Sequence, residues 1–145
     1  MKANRILAII ALALVAVTAL TIAVINTTQE KKYSKDTPQG VVQRYLDAVF
    51  TGDYNTAATY ISTESECTAT DLDRTFIPSR PRIYLKSTSV VGSTAQVQIQ
   101  VEQGDSGILD NPSTEEHVIR LVKPENTWLL TGVPWPLYDC GVIQK

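Results

Sequence analysis

The chain has 145 residues, enough for one small domain and a short additional segment. A net charge of −2 excludes the strongly basic balance of a nucleic-acid binder, while 43% hydrophobic residues suffice for a packed core. Those apolar residues are unevenly placed, and their placement carries the first inference.

Residues Ile6 to Ile25 read ILAIIALALVAVTALTIAVI, uncharged and broken only by Thr18 and Thr21. As a helix this run spans about 30 Å, the thickness of a bilayer's hydrocarbon core. It is apolar all round, whereas a core helix of a small domain keeps a polar face. The sequence therefore predicts a transmembrane signal anchor over residues 1–25, with the lipid bilayer as the partner of Ile6–Ile25. A cleaved signal peptide is the alternative, since Lys2 and Arg5 supply the positive start that one needs. Against it, the run exceeds the roughly 7–15 apolar residues of such peptides, and Asn26-Thr27-Thr28-Gln29 makes a poor cleavage site. No cysteine directly follows the span, which removes lipidation there.

Basic residues flank the span on both sides, so their bias does not set its orientation. The cysteines are more informative. Cys67 and Cys140 are the only two, and a pair in a small domain suits one disulfide in an oxidising compartment. That reading places a single-pass protein in the cell membrane with its C-terminal domain outside the cytoplasm; two buried free thiols are the alternative. With Lys2 and Arg5 before the span, 11 basic and 15 acidic residues remain beyond it, a net charge of −4 with no basic cluster.

Residues 26–36 are polar and charged and read as a linker, with Asn26-Thr27-Thr28 matching a glycosylation acceptor pattern. A domain then occupies residues 37–145. Thr37-Pro38 starts a helix, with a capping threonine and proline at the first helical position. Val41, Val42, Tyr45, Leu46, Val49 and Phe50 recur at helical spacing, and Gly52 supplies the stop. Asp53 caps a second short helix with Tyr54, Ala57, Ala58 and Ile61 on one face. Thr68-Ala69-Thr70-Asp71 resembles a capping box before a third helical piece, in which Leu72 and Phe76 share a face. Pro78 and Pro81 close the helical half.

The period then changes. Ile83 to Val91 is a strand, Gly92-Ser93 a two-residue hairpin turn, and Ala95 to Val101 a strict apolar/polar alternation with one buried face. Gln103 to Thr114 reads as a loop. Glu116 to Lys123 and Thr127 to Thr131 are the third and fourth strands, joined by Pro124-Glu125-Asn126. The tail Gly132 to Tyr138 cannot continue a central strand because of its prolines. Helices followed by antiparallel strands make an α+β domain, with the Thr37 helix as the lid on the sheet.

The opening TPQGVVQRYLDAVFTGDYNTAATYIS and the late NTWLLTG resemble the nuclear-transport-factor-2-like (cystatin-like) superfamily over Thr37 to Pro136. The pairing of Cys67 with a cysteine after PWPLY is similar to a pattern of small membrane-anchored bacterial envelope proteins in that superfamily. The resemblance implies a cone-shaped domain, about three helices packed on a curved four-stranded antiparallel sheet. Its members bind or process small molecules in the cone, or only assemble, so the fold does not settle function.

Family enzymes place an acid/base Asp or His inside the cone. Here His117 is the only histidine. It would have to point inward beside a carboxylate to act as a base; otherwise it is a polar residue at a strand end. One histidine without companions at ligand spacing gives no metal site, and no cofactor is expected. Asp47 falls on the wet side of its helix, and Asp71 and Asp73 suit a helix start. Tyr45, Tyr60, Tyr84, Trp128 and Trp135 are the aromatic candidates to line a pocket, against the plainer role of core residues. The sequence thus predicts a membrane-anchored extracytoplasmic binding or assembly module of the bacterial envelope, without catalysis. Its partner would be an envelope protein or a second copy. A small apolar-ligand sensor or carrier using the cone is the alternative.

Overall fold

The computed structural model describes residues 31–77, 81–103 and 113–140. The apolar run Ile6–Ile25 lies outside the described residues, as do Asn26 to Glu30, Pro78 and most of the loop between the second and third strands. Among the described residues no helix is long and apolar enough to cross a membrane.

The helical half holds α1 (Pro38–Phe50), α2 (Tyr54–Ala58), a 3-10 turn (Thr63–Ser65) and α3 (Ala69–Arg74). The strands β1 (Arg82–Val91), β2 (Thr94–Gln103), β3 (Ser113–Val122) and β4 (Leu129–Thr131) form one antiparallel sheet in the order β1-β2-β3-β4. The α+β class, the three helices and the four strands follow the sequence pattern.

α1 begins as its sequence dictates. The Thr37 side chain accepts from the Gly40 N–H at 3.2 Å, and Pro38 occupies the first turn, where its missing N–H costs nothing. Val41, Val42, Tyr45, Leu46 and Val49 are all buried, while Asp47 is exposed. The helix closes with Gly52 at φ 75°. The Gly52 N–H bonds the Val49 carbonyl at 3.1 Å, and the Asp53 N–H bonds that of Ala48 at 2.9 Å, the paired bonds of a Schellman stop. Asp53 then caps α2 by accepting from the Thr56 N–H at 3.1 Å. The Thr56 side-chain and backbone hydrogen bonds hold its carboxyl below the ordinary range.

The helical half departs from expectation in three places. α2 ends at Ala58, so Ile61 is no longer helical; it forms a parallel bridge to Leu130 and is buried there. The 3-10 turn at Thr63–Ser65 carries no strong local signal. The box capping α3 is present, with the Thr68 N–H donating to Asp71 Oδ2 at 2.8 Å. However, Phe76 does not share a buried face with Leu72. The Thr75 hydroxyl takes the Asp71 carbonyl at 2.9 Å, the chain turns extended at Thr75, and Phe76 is 84% exposed.

Strand parity organises the sheet. Ala95, Val97, Ile99 and Val101 of β2 are buried, and their β3 partners are Leu121, Ile119, His117 and Glu115. Their β1 partners are Val90, Thr88, Leu85 and Ile83. These residues share the inner face, against which α1 packs on β1 and β2. The outer face is polar: Lys86 Nζ donates to Gln100 at 2.8 Å, Ser87 Oγ to Gln98 at 3.1 Å, and Gln98 Nε2 to Glu116 at 3.1 Å. β3 starts at Ser113 rather than Glu116, and β4 is shorter than expected, starting at Leu129.

Gly40 has a role that helical spacing did not reveal. A Cβ there would meet the Ser34 carbonyl oxygen, a backbone atom, at 1.8 Å. An unconstrained helical glycine gains up to about 1 kcal/mol on replacement by alanine. Gly40→Ala is expected instead to destabilise by about 1–3 kcal/mol in urea unfolding. A stabilised variant would show that the Ser34 approach is not maintained in solution.

Candidate functional site

Four of the five candidate pocket residues meet on or beside the inner face. Tyr45 is fully buried under the sheet, in the core that includes Ile99, Ile119 and Leu130. Burial pushes its phenol well above the ordinary tyrosine value. Its hydroxyl has no hydrogen-bond partner among the described residues. Trp128 is 6% exposed, in the segment leading into β4, with Lys123 Nζ 5.6 Å from its ring centroid. Tyr60 packs partly buried against the same core, and its carbonyl accepts from the Leu130 N–H at 2.8 Å. Tyr84 stands apart. It pairs with Gln100 on the outer face, is 45% exposed and directs its hydroxyl toward Glu102 Oε2 at 3.4 Å.

His117 stands in the middle of β3, not at a strand start, because β3 begins three residues earlier than the sequence suggests. Its partner is Ile99, so it points to the inner face. Glu115, two residues earlier and on the same face, places Oε2 3.2 Å from His117 Nε2. The Trp135 ring lies 5.5 Å from the imidazole at an interplanar angle of 34°, and the Phe50 ring lies 6.1 Å from that of Trp135. The His117 and Glu115 side chains are 24% and 48% exposed, so this group forms a rim open to water rather than a sealed interior. An imidazole oriented by a carboxylate can hold or pass a proton. A pair this exposed is screened, and contributes little to stability.

Sequence reasoning missed Glu115 and the stacking of Trp135. Strand parity offered the signal for Glu115: His117, Ile119 and Leu121 alternate in phase, and Glu115 extends that phase by one step. Trp135 was an aromatic candidate, but nothing local announced its contact with His117, because it arrives from the tail. Among the described residues no group of three or more His, Cys, Asp or Glu could hold a metal ion.

Cys67 and Cys140 form a disulfide, with Cα atoms 4.7 Å apart and a sequence separation of 73. The Ser65 hydroxyl donates to the Gly132 carbonyl and approaches Cys67 Sγ at 3.2 Å. The Gly132 carbonyl oxygen lies 3.6 Å from the same sulfur. The staple therefore joins the segment before α3 to the tail after β4. That tail buries Pro134, Trp135, Pro136 and Leu137, with a cis bond between Trp135 and Pro136, but adds no strand to the sheet.

No protein-family model matches the chain, and no curated protein matches it. Two solved structures are similar. A SEC-C motif-containing protein from Rhodopseudomonas palustris is 11% identical, with 68% of this chain and 78% of that one covered at a TM-score of 0.52. A Campylobacter jejuni protein described as a nuclear-transport-factor-2-like transpeptidase is 12% identical, with 66% and 97% covered at a TM-score of 0.47. The likeness to the first is one of fold.

Two outcomes follow from this geometry. Tyr45→Phe keeps the packing and removes an orphaned hydroxyl, so it is expected to leave stability unchanged or raise it by up to about 1 kcal/mol in thermal or urea unfolding. A clear loss would show that the hydroxyl has a partner in solution. Removing the staple with Cys67→Ser and Cys140→Ser together is expected to cost up to about 4 kcal/mol, from the loop-closure entropy of the unfolded chain. Denaturant midpoints with and without reductant measure it, and midpoints indifferent to reductant would contradict it.

Proposed function

We propose that this chain is a membrane-anchored, extracytoplasmic binding or assembly module of the bacterial cell envelope. Its domain is nuclear-transport-factor-2-like, and it works through its surface rather than as a catalyst. The apolar run Ile6–Ile25 supports the anchor, and the Cys67–Cys140 disulfide supports an oxidising location. The observation that carries the surface reading is a contrast. Tyr45, Leu72, Ile99, Ile119, Leu121 and Leu130 fill the space between helices and sheet as fully buried side chains. Large apolar groups face water: on the stapled tail Tyr138 is 80% exposed and Val133 47%, and Phe76, two residues past α3, is 84% exposed. Exposed aromatic rings beside a covalently fixed segment suit a protein contact, where such side chains supply much of the binding energy.

Photo-crosslinking in the native membrane tests this. A photoreactive residue at Tyr138 or Phe76 of the full chain is expected to capture an envelope protein. The same residue at Glu125, in the β3–β4 turn, is expected to capture none. Equal capture at all three sites, or none at any, would contradict the surface reading.

A second reading, a small apolar-ligand sensor or carrier, draws on one observation, the unpartnered hydroxyl of Tyr45. A ligand with one polar group would satisfy it. On that reading Tyr45→Phe abolishes the thermal stabilisation that such a ligand gives the wild-type chain.

A further inference from the structure

The two edges of the sheet are not alike. The β4 edge is closed by the chain itself: the Ser62 N–H bonds the Leu130 carbonyl at 2.7 Å, and the Leu130 N–H bonds that of Tyr60 at 2.8 Å. Among the described residues nothing pairs with the outer edge of the ten-residue β1. An open edge is a template for another strand, and proteins blunt such edges with lysines and bulges. β1 has both devices, but only in its first half. Its register shifts between Leu85 and Ser87, around Lys86. From Ser87 to Val91 the pairing is regular and the segment, Ser-Thr-Ser-Val-Val, is uncharged.

We propose that this half of β1 is a self-docking seam, where two copies of the chain pair β1 with β1 antiparallel about Ser89 to make one eight-stranded sheet. Hairpin parity supports that centre. Gly92-Ser93 is a two-residue loop, so Val91 and Thr94, which flank it, form a hydrogen-bonded pair. Alternation then makes Val90–Ala95 and Thr88–Val97 non-hydrogen-bonded pairs within the hairpin. The backbone N–H and C=O groups of Thr88 and Val90 therefore point out of the sheet edge. Antiparallel pairing centred on Ser89 sets Thr88 of each copy opposite Val90 of the other. Each of those two pairs exchanges both backbone bonds, and Ser89 meets its own counterpart in a non-hydrogen-bonded pair.

The side chains agree with that register. Val90 is 51% exposed and Val91 74%. In the seam Val90 lies beside the other copy's Thr88 on the inner face, and Val91 beside its Ser87 on the outer face. Charge agrees as well. Lys86 falls opposite Gly92, so the two lysines sit at opposite ends of the seam. They are six residues apart, about 20 Å along the strand, beyond the roughly 8–10 Å over which salt leaves charges coupled. The pairing is isologous and closes after two copies. It needs neither the membrane anchor nor an envelope partner.

Cysteine placed in the full-length chain reads the register directly. Cα atoms of a non-hydrogen-bonded antiparallel pair are about 4.5 Å apart, within disulfide reach. Ser89→Cys is therefore expected to give a covalent dimer under mild oxidant on a non-reducing gel. In Val91→Cys the two sulfurs would lie about 13 Å apart along the seam, and dimer yield is expected to be at least about tenfold lower. Sedimentation of the wild-type chain is expected to show a concentration-dependent dimer. Equal yields from the two variants, no dimer from Ser89→Cys, or a wild-type chain that stays monomeric would overturn the seam.

Discussion

The burial of one face of the sheet beneath α1 is the constraint on which the rest of the structure depends. Ala95, Val97, Ile99 and Val101 alternate with Gln96, Gln98 and Gln100, so a slip of one residue would turn four core side chains out to water. The pairing of β2 with β1 and β3 carries that phase across the sheet. It selects Ile119 and Leu121 for the core, and it sends His117 and Glu115 to the same side. The rim around His117 is therefore a consequence of register: a strand that must bury Ile119 presents its polar residues inward once the helical cover runs out. Tyr84, one step out of phase, is carried to the opposite face with the amides and carboxylates.

The disulfide answers a second need. After β4 the chain has too many prolines to join a ladder, yet Pro134, Trp135, Pro136 and Leu137 are buried. Such a segment gains apolar burial but few backbone hydrogen bonds, and in a small domain the surface it covers is a substantial share of a narrow stability margin. Tying Cys140 to Cys67 removes much of the freedom the tail would otherwise recover on release. The same tie brings the tail close to the carboxylate–imidazole pair, because Trp135 stacks on His117 and reaches back to Phe50 at the end of α1. One covalent link thus supports both the burial of the tail and the aromatic part of the rim.

Much of this was legible in the residues, wherever one local signal coincided with one periodic signal. Thr37-Pro38 and Gly52 bracket α1 because capping chemistry and the apolar stripe agree. Gly92-Ser93 marks the hairpin because only glycine there takes the positive φ, 57°, that the turn needs. The misses fall where tertiary contacts override the local pattern. Ile61 fits a helical face but is taken by Leu130, and Phe76 fits one with Leu72 but lies beyond the turn at Thr75. Gly40 looks like an ordinary helical glycine, and only the approach of Ser34 explains it. The start of β3 was obscured by Ser113, Thr114, Glu115 and Glu116, four exposed polar residues among which alternation leaves little trace.

We propose that a sulfur-stapled domain is carried on the oxidising side of a membrane by the uncleaved apolar run Ile6–Ile25. Mass spectrometry of the protein isolated from its own membrane without reductant tests this most directly. It should yield a linked peptide pair containing Cys67 and Cys140 and an intact peptide spanning Ile6–Ile25. Free, alkylated thiols at both positions, or a mature chain starting after Ile25, would contradict it.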